Sequence, residues 1–415
     1  MVYIPLIYFS ILFLYLMKKR GISVCTYAAL LYVITSAASI LYYESEADTT
    51  LESVVSLWPT IEYCVLLTFF IVPLSRFDIN KYKYVSFGEM TFLKGLIITY
   101  AAITVILLLA YHDDLLLRFV ASEVKETKYL INQDYGLGLK SYPRLIQIPL
   151  NILMLFGASS FVMIFIIFFS LTYLHLSKSY ILLAVIGSFA SIVVGILGMD
   201  RSKAFFWMII AGLCVVMFWK KMDKSSKRGI TIGGSVLVSL VATYFVFVTF
   251  NRFGQEQEES SNAVVSYAGK PYVNFCYFEE RFHNPDGITL KYLLPVTHVY
   301  VIRDYKNSVH NQQVMTKKTG IDCGTFYSIL GDFIISDGLI GPFLITLVFI
   351  ILSNVFLRKK VTVISFRHLF VSFLVMIIPC VGVITYLYNN HNTTLPIYVM
   401  LLLMPLLRDK RKLYL

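Results

Sequence analysis

Apolar stretches close to membrane-spanning length recur along the whole of this chain, and they limit its fold more than any other feature. A helix needs about 20 mostly apolar residues to cross a bilayer, with about 17 tolerated. Such stretches cover 2–17, 22–43, 54–74, 95–111, 146–174, 180–199, 204–219, 229–250, 339–357, 363–388 and 394–407. In lipid every backbone N–H and C=O must find its partner within the chain, so these stretches are expected to be helical. The expectation is an all-α, polytopic transmembrane helix bundle of about eleven spans, forming one integral membrane domain over 1–415. Composition agrees, with 57% hydrophobic and 15% charged residues, against about 45–50% and about 25% in soluble domains. The apolar start lacks a basic lead and is followed by "KKR" at 18–20. It therefore reads as a retained first span, not a cleaved signal.

The net charge of +11 does not point to nucleic acid, because the Lys and Arg cluster beside apolar spans. Loops 18–20, 76–94, 175–179, 220–228 and 358–362, Arg367 and the C-terminal tail carry 21 of the 36 basic residues and four acids. Short loops rich in Lys and Arg stay cytoplasmic. The N-terminus is then outside and the C-terminus inside. Two long loops, 112–145 and 251–338, fall on the outer side, where any chemistry is expected. In the first, Leu116, Phe119, Val120 and Val124 have the spacing of a helix lying along the membrane. The second is too rich in aromatic residues for a tether and is expected to fold back onto the bundle. It holds Cys276 and Cys323, which can pair if the compartment is oxidising. The other four cysteines fall inside spans and read as small hydrophobes. Glu62 is a buried carboxylate in the third span, and the fifth is long enough to tilt or break near Pro149.

No phosphate-binding G-x-x-x-x-G-K-[ST], zinc H-E-x-x-H or nucleophile G-x-S-x-G occurs. No metal or cofactor is expected, so the energy of any reaction must come from the substrate or an ion gradient. In "GMDRSKAFFWMII" (198–210), Arg201 opens a span whose N-terminal N–H groups face outward. One reading is an interfacial turn with Arg201 and Lys203 snorkelling to headgroups. The other is a phosphate site built from a guanidinium and a helix N-terminus. Arg252 follows the eighth span without an immediate acidic neighbour, whereas Arg281 and Arg303 stand beside Glu280 and Asp304 and can be surface pairs. Tyr267, Tyr272 and Asn274 lie in an aromatic run that reads as local core or, in part, as a sugar-binding surface. Asp332 and Asp337 flank an apolar stretch just outside the ninth span, where Asp337-Gly338 is also an ordinary turn and Gly341-Pro342 a span start. These two aspartates, His298 and His310 are the candidate proton acceptors, and spacing does not rank them.

With these pieces placed, the chain resembles the oligosaccharide repeat-unit polymerases, the Wzy-type O-antigen polymerases of bacterial inner membranes. Three features carry the likeness: the span-opening Arg201, the large outer loop with Arg252 at its start and "SYAGKPYVNF" inside it, and the exit "GTFYSILGDFIISDGLIGPF". Motif-level likeness covers 198–342. One departure is Asp200, where the family often has a small residue. The resemblance implies a multi-pass inner-membrane glycosyltransferase that builds O-antigen or capsular polysaccharide. Its substrate would be a polyprenyl-diphosphate-linked oligosaccharide, whose growing chain moves en bloc onto another repeat unit at the periplasmic face. It also implies Arg201 and Arg252, with Arg281 as a third, as diphosphate holders, and a chain-length regulator as partner. Two other functions stay open. A flippase or polysaccharide transporter needs polar residues along a path, and an O-antigen ligase shares the outer-arginine layout.

Overall fold

A backbone that cannot bond to lipid closes its hydrogen bonds on itself, and this chain does so as helix. The computed structural model describes residues 1–45, 54–113, 115, 142–198, 202–253, 257–324, 327–357, 362–406 and 412–414. In chain order the elements are α1 (Tyr3–Arg20), α2 (Val24–Ser45), α3 (Leu57–Ile71), β1 (Tyr84–Phe87), α4 (Met90–Ala110), α5 (Arg144–Gly157), α6 (Val162–Phe169), α7 (Lys178–Ser188), α8 (Ala190–Leu197) and α9 (Ser202–Phe218). They continue with α10 (Lys224–Phe253), α11 (Gln257–Arg281), α12 (Ser308–Thr319), α13 (Ser328–Asp337), α14 (Gly341–Phe356), β2 (Val363–Ser365), α15 (Phe366–Val381), α16 (His391–Leu406) and β3 (Lys412–Tyr414).

Every stretch read as a span contains helix, so the all-helical expectation holds apart from three short strands. Among the described residues, five helical stretches are long and apolar enough to cross a membrane: Val24–Ser45, Leu57–Lys81, Met90–Ala110, Lys178–Leu197 and Ser328–Phe356. A sixth is added if the bent pair Arg144–Gly157 and Val162–Leu174 counts as one span. These helices make the chain a membrane protein. Ser202–Phe218 and Phe366–Val381 are apolar but shorter. The surface helix expected around Leu116–Val124 lies outside the described residues.

The chain packs as two units: Met1–Asp78, Ser261–Lys360 and Phe370–Thr394 form the first, and Ile79–Ser260, Val361–Leu369 and Leu395–Leu415 the second. In the second unit the break expected near Pro149 comes later. Pro149 sits inside α5, and the 56° bend falls between Gly157 and Val162. The cause is a cluster of hydroxyls that compete with helix bonding. Ser159 Oγ donates to Phe156 O and meets Tyr100 Oη at 2.6 Å, while Ser160 Oγ donates to Ser188 O and accepts from Ser191 N at 2.7 Å. Phe87, Phe165, Phe169 and Phe366 form an aromatic core in the same unit. Beside it β1 pairs in parallel with β2 and antiparallel with β3, a sheet that sequence patterning did not suggest. Its strands lie in or directly beside three of the Lys- and Arg-rich segments, 76–94, 358–362 and the C-terminal tail, and β2 takes the first residues of the stretch read as the tenth span.

In the first unit the long loop does fold back, as expected, and it does so as the 25-residue helix α11. A Cβ at Gly269 would lie 2.5 Å from Ala38 O on α2, so this close approach requires glycine. Ser39 Oγ donates to Gly269 O at 2.8 Å, and Thr60 and Tyr272 share a buried hydroxyl bond at 2.7 Å. Between membrane helices each such bond contributes about 0.6 kcal/mol, and close packing supplies the rest. α13 is buried along all ten residues, and the chain turns sharply at Gly338 (φ +68°). The turn brings Gly341, at the start of α14, so near Phe333 that any Cβ there would strike the Phe333 carbonyl.

Candidate functional site

The proton-accepting candidates all belong to the first unit, and the structure gives them different tasks. Asp332 is fully buried. One of its oxygens accepts from Thr385 Oγ1 and from Tyr386 N, both at 2.5 Å. Asp337 ends α13, is 2% exposed, and accepts from Thr289 N at 2.8 Å and Leu290 N at 2.6 Å. Each aspartate thus pins a loop: 385–386 through Asp332 and 289–290 through Asp337. Each keeps one buried oxygen without a hydrogen-bond partner in the protein. Their burial keeps both away from a hydroxyl arriving at the surface.

His298 is also buried, at 7% exposed, and differs from the aspartates in its partners. After a short turn, Pro295–Thr297, the chain winds through a π-helical turn over His298–Ile302 and ends it at Arg303 with φ +65°. That left-handed residue costs about 1 kcal/mol or more where glycine is absent. It turns the chain back so that Asp304 comes alongside His298, with Nδ1 and Oδ1 2.8 Å apart. Lys291 Nζ stands 3.8 Å from the second oxygen of Asp304, whose side chain is 43% exposed. Leu290 is also left-handed (φ +58°), so two strained residues bracket 291–302. A carboxylate on Nδ1 fixes the tautomer that leaves Nε2 as the basic nitrogen, the arrangement of a general base. Asp304 therefore takes His298 and Lys291 as partners, where sequence reading had set it beside Arg303.

His310 occupies the first turn of α12, and its backbone N–H donates to the N-cap Asn307 Oδ1 at 2.7 Å. Burial, then Lys306 and Lys317, lower its pKa below the usual imidazole value. Arg281 ends α11, exposed, with its guanidinium 5.9 Å from the Tyr277 ring centre. Arg201 lies outside the described residues, and Arg252 is on α10 with its side chain outside the description. The convergence of Arg201 and Arg252 on one phosphate is therefore not on view.

Of the sugar-binding candidates, Tyr272 is 1% exposed, bonded to Thr60 and packed on Tyr63, which makes it part of the interior. Asn274 is half-buried on α11, and Tyr267 is on the same helix with its side chain outside the description. Cys276 and Cys323 are free, buried thiols, and burial pushes Cys323 up to about 12. Among the described residues no group of three or more His, Cys, Asp or Glu could hold a metal ion.

The interior holds one feature that sequence reading half found. Glu62 on α3 and Glu279 on α11 come close together, and each keeps one buried oxygen without a hydrogen-bond partner in the protein. Glu279, whose partner lies more than two hundred residues away in the chain, gave no signal in its own surroundings. No family model, curated protein or solved structure matches the chain.

Proposed function

We propose that the chain is a membrane glycosyltransferase that extends a polyprenyl-diphosphate-linked oligosaccharide, in the manner of the repeat-unit polymerases it resembles in sequence. The observation that supports this reading best is the His298–Asp304 pair, on a loop tied through Asp337 to the start of α14. A lipid-linked sugar presents its reacting carbon next to its diphosphate, at the depth of lipid headgroups. There His298 Nε2 takes the proton of the acceptor hydroxyl as the new glycosidic C–O bond forms. The bond from the sugar to the diphosphate breaks, and the diphosphate leaves with that electron pair. Arg201 and Arg252, with Arg281 as a third, hold the departing charge. The diphosphate is an activated leaving group, so the step draws on no nucleotide. In this reading the reaction takes place at the periplasmic face of a bacterial inner membrane.

The test is purified protein in proteoliposomes, supplied with a polyprenyl-diphosphate oligosaccharide. The expected product is a ladder of chain lengths. Arg252→Ala should slow extension by about 10²–10³-fold, the usual loss for one oxyanion-stabilising contact. Absence of any extension by the parent chain, or an undiminished ladder from the variant, would count against the reading.

A transport reading for the same lipid-linked substrate draws on the Glu62–Glu279 pair, since ionisable residues inside membrane bundles mark ion and substrate paths. Vesicles decide between the two: a transporter moves the labelled lipid between leaflets without lengthening its glycan.

A further inference from the structure

The loop that carries His298 ends in three consecutive exposed apolar side chains: Tyr300 (49%), Val301 (74%) and Ile302 (54%). Water-facing loops rarely spend three such residues in a row, and an exposed apolar patch marks an interaction surface. Where that surface lies follows from how the loop is tied down. On its N-terminal side, Asn284 Nδ2 donates to Ile335 O and Ser336 O at 3.2 and 3.0 Å. Thr289 Oγ1 donates to Ser336 O at 2.9 Å, and the Thr289 and Leu290 amides hold Asp337. These bonds fix the loop to the turn that opens α14. On its C-terminal side, Tyr305 Oη donates to Asn389 O at 2.6 Å, and the Tyr300 ring meets His391 edge-on at 5.8 Å. His391 is the first residue of α16. The tip is thus held, within the first unit, between the turn that opens α14 and residues 389–391.

What covers the tip follows from its neighbours. Along α14, Phe343, Leu347, Ile351 and Val355 are all exposed at four-residue intervals, a stripe that only lipid can cover comfortably on a chain of this class. Leu339 and Ile340 continue that stripe past the start of α14, and exposed Ile288 adjoins the anchored Thr289. Immediately after the tip come Arg303 and Lys306, both exposed. An aromatic ring, aliphatic side chains and then basic groups follow the order of a bilayer boundary, with Tyr at the interface and cations among the phosphates. Asp304, the one acid beside them, is engaged by His298 and Lys291.

We propose that Tyr300, Val301 and Ile302 form a wedge inserted into the boundary layer of the bilayer, with Arg303 and Lys306 on anionic lipid phosphates. The wedge sets the depth of His298 from outside the bundle. It rests on the membrane character of the chain and not on the transfer reaction, so failure of that reaction leaves it standing.

Spin labelling tests it in the full-length protein, reconstituted in vesicles containing phosphatidylglycerol. V301C is labelled, with I302C as a second site should V301C fold poorly and K317C as an aqueous reference. The parent chain, whose cysteines Cys25, Cys64, Cys214, Cys276, Cys323 and Cys380 are all buried, gives the background. At position 301 collisions with oxygen should exceed those with a water-soluble nickel chelate several-fold, with the reverse at 317. Replacing phosphatidylglycerol by phosphatidylcholine should move label 301 toward water, and the added pair R303Q and K306Q should abolish that shift. Nickel collisions dominating at 301 and 302 would overturn the proposal, as exposure to water. A label shielded from both reagents would also overturn it, by showing that protein, a second copy of the chain included, covers the tip.

Discussion

Asp337 and Asp304 lie in the same unit and each serves the loop around residue 300, yet they do opposite work. Asp337 is 2% exposed and spends one oxygen on two backbone amides. Asp304 is 43% exposed and spends its oxygens on an imidazole and an ammonium group. The first arrangement holds chain in place, while the second orients an imidazole ring. A carboxylate at the membrane boundary is therefore not a general base by position. Its donors decide what it does.

Removing one group from each side tests the contrast most severely. His298→Ala should lower the rate of chain extension by about 10²–10⁴-fold, and cost only about 1 kcal/mol of stability. Asp332→Ala should do the converse. It strands the Thr385 hydroxyl and the Tyr386 amide, at a cost of about 2–5 kcal/mol, seen as a lower unfolding temperature in detergent. If the two variants exchanged these phenotypes, the division between clasp and base would be broken.

Asp337→Asn sharpens the same comparison with a smaller change. The amide still offers an oxygen to Thr289 and Leu290, so only the charge assistance goes, about 1 kcal/mol. A loss as large as that of Asp332→Ala would mean that the charge itself, and not the loop tie, is what the site needs.

The smallest effect belongs to His310. Its folded pKa lies below the ordinary imidazole value of about 6.5, so the unfolded chain binds the proton first as pH falls. Its contribution is fully present above about pH 6.5 and is lost as pH falls through the lower, folded value. His310→Gln should leave stability unchanged at pH 8 and flatten its decline in acid. An unaltered acid slope in unfolding experiments would show that another group drives it.

What could be read in advance divides along physical lines. Helices were legible because apolar runs of spanning length have one backbone solution in lipid. The Asp337-Gly338 turn and the Gly341-Pro342 helix start were legible because glycine and proline restrict the chain locally, and both occur where expected. The bend after Gly157 was misplaced at Pro149, since nothing local reveals that Ser160 would reach Ser188 and Ser191. The His298–Asp304 pair was hidden for a related reason. Their meeting depends on a left-handed arginine, a conformation that sequence does not announce. Tyr272 looked like a sugar platform because its aromatic neighbours suit either role, and only the Thr60 hydroxyl from another helix assigns it to the interior.

The small sheet also sets an order of assembly. Tyr84–Phe87 is made early, but its parallel partner Val363–Ser365 follows only after everything from Gly88 to Thr362 has been synthesised, and Lys412–Tyr414 comes later still. Helices can thread the translocon one after another, while this strand must wait with both edges unsatisfied. The sheet is in effect a buckle with two catches, and a chain ending before residue 412 would close the one at Val363–Ser365 and leave the other edge of Tyr84–Phe87 open.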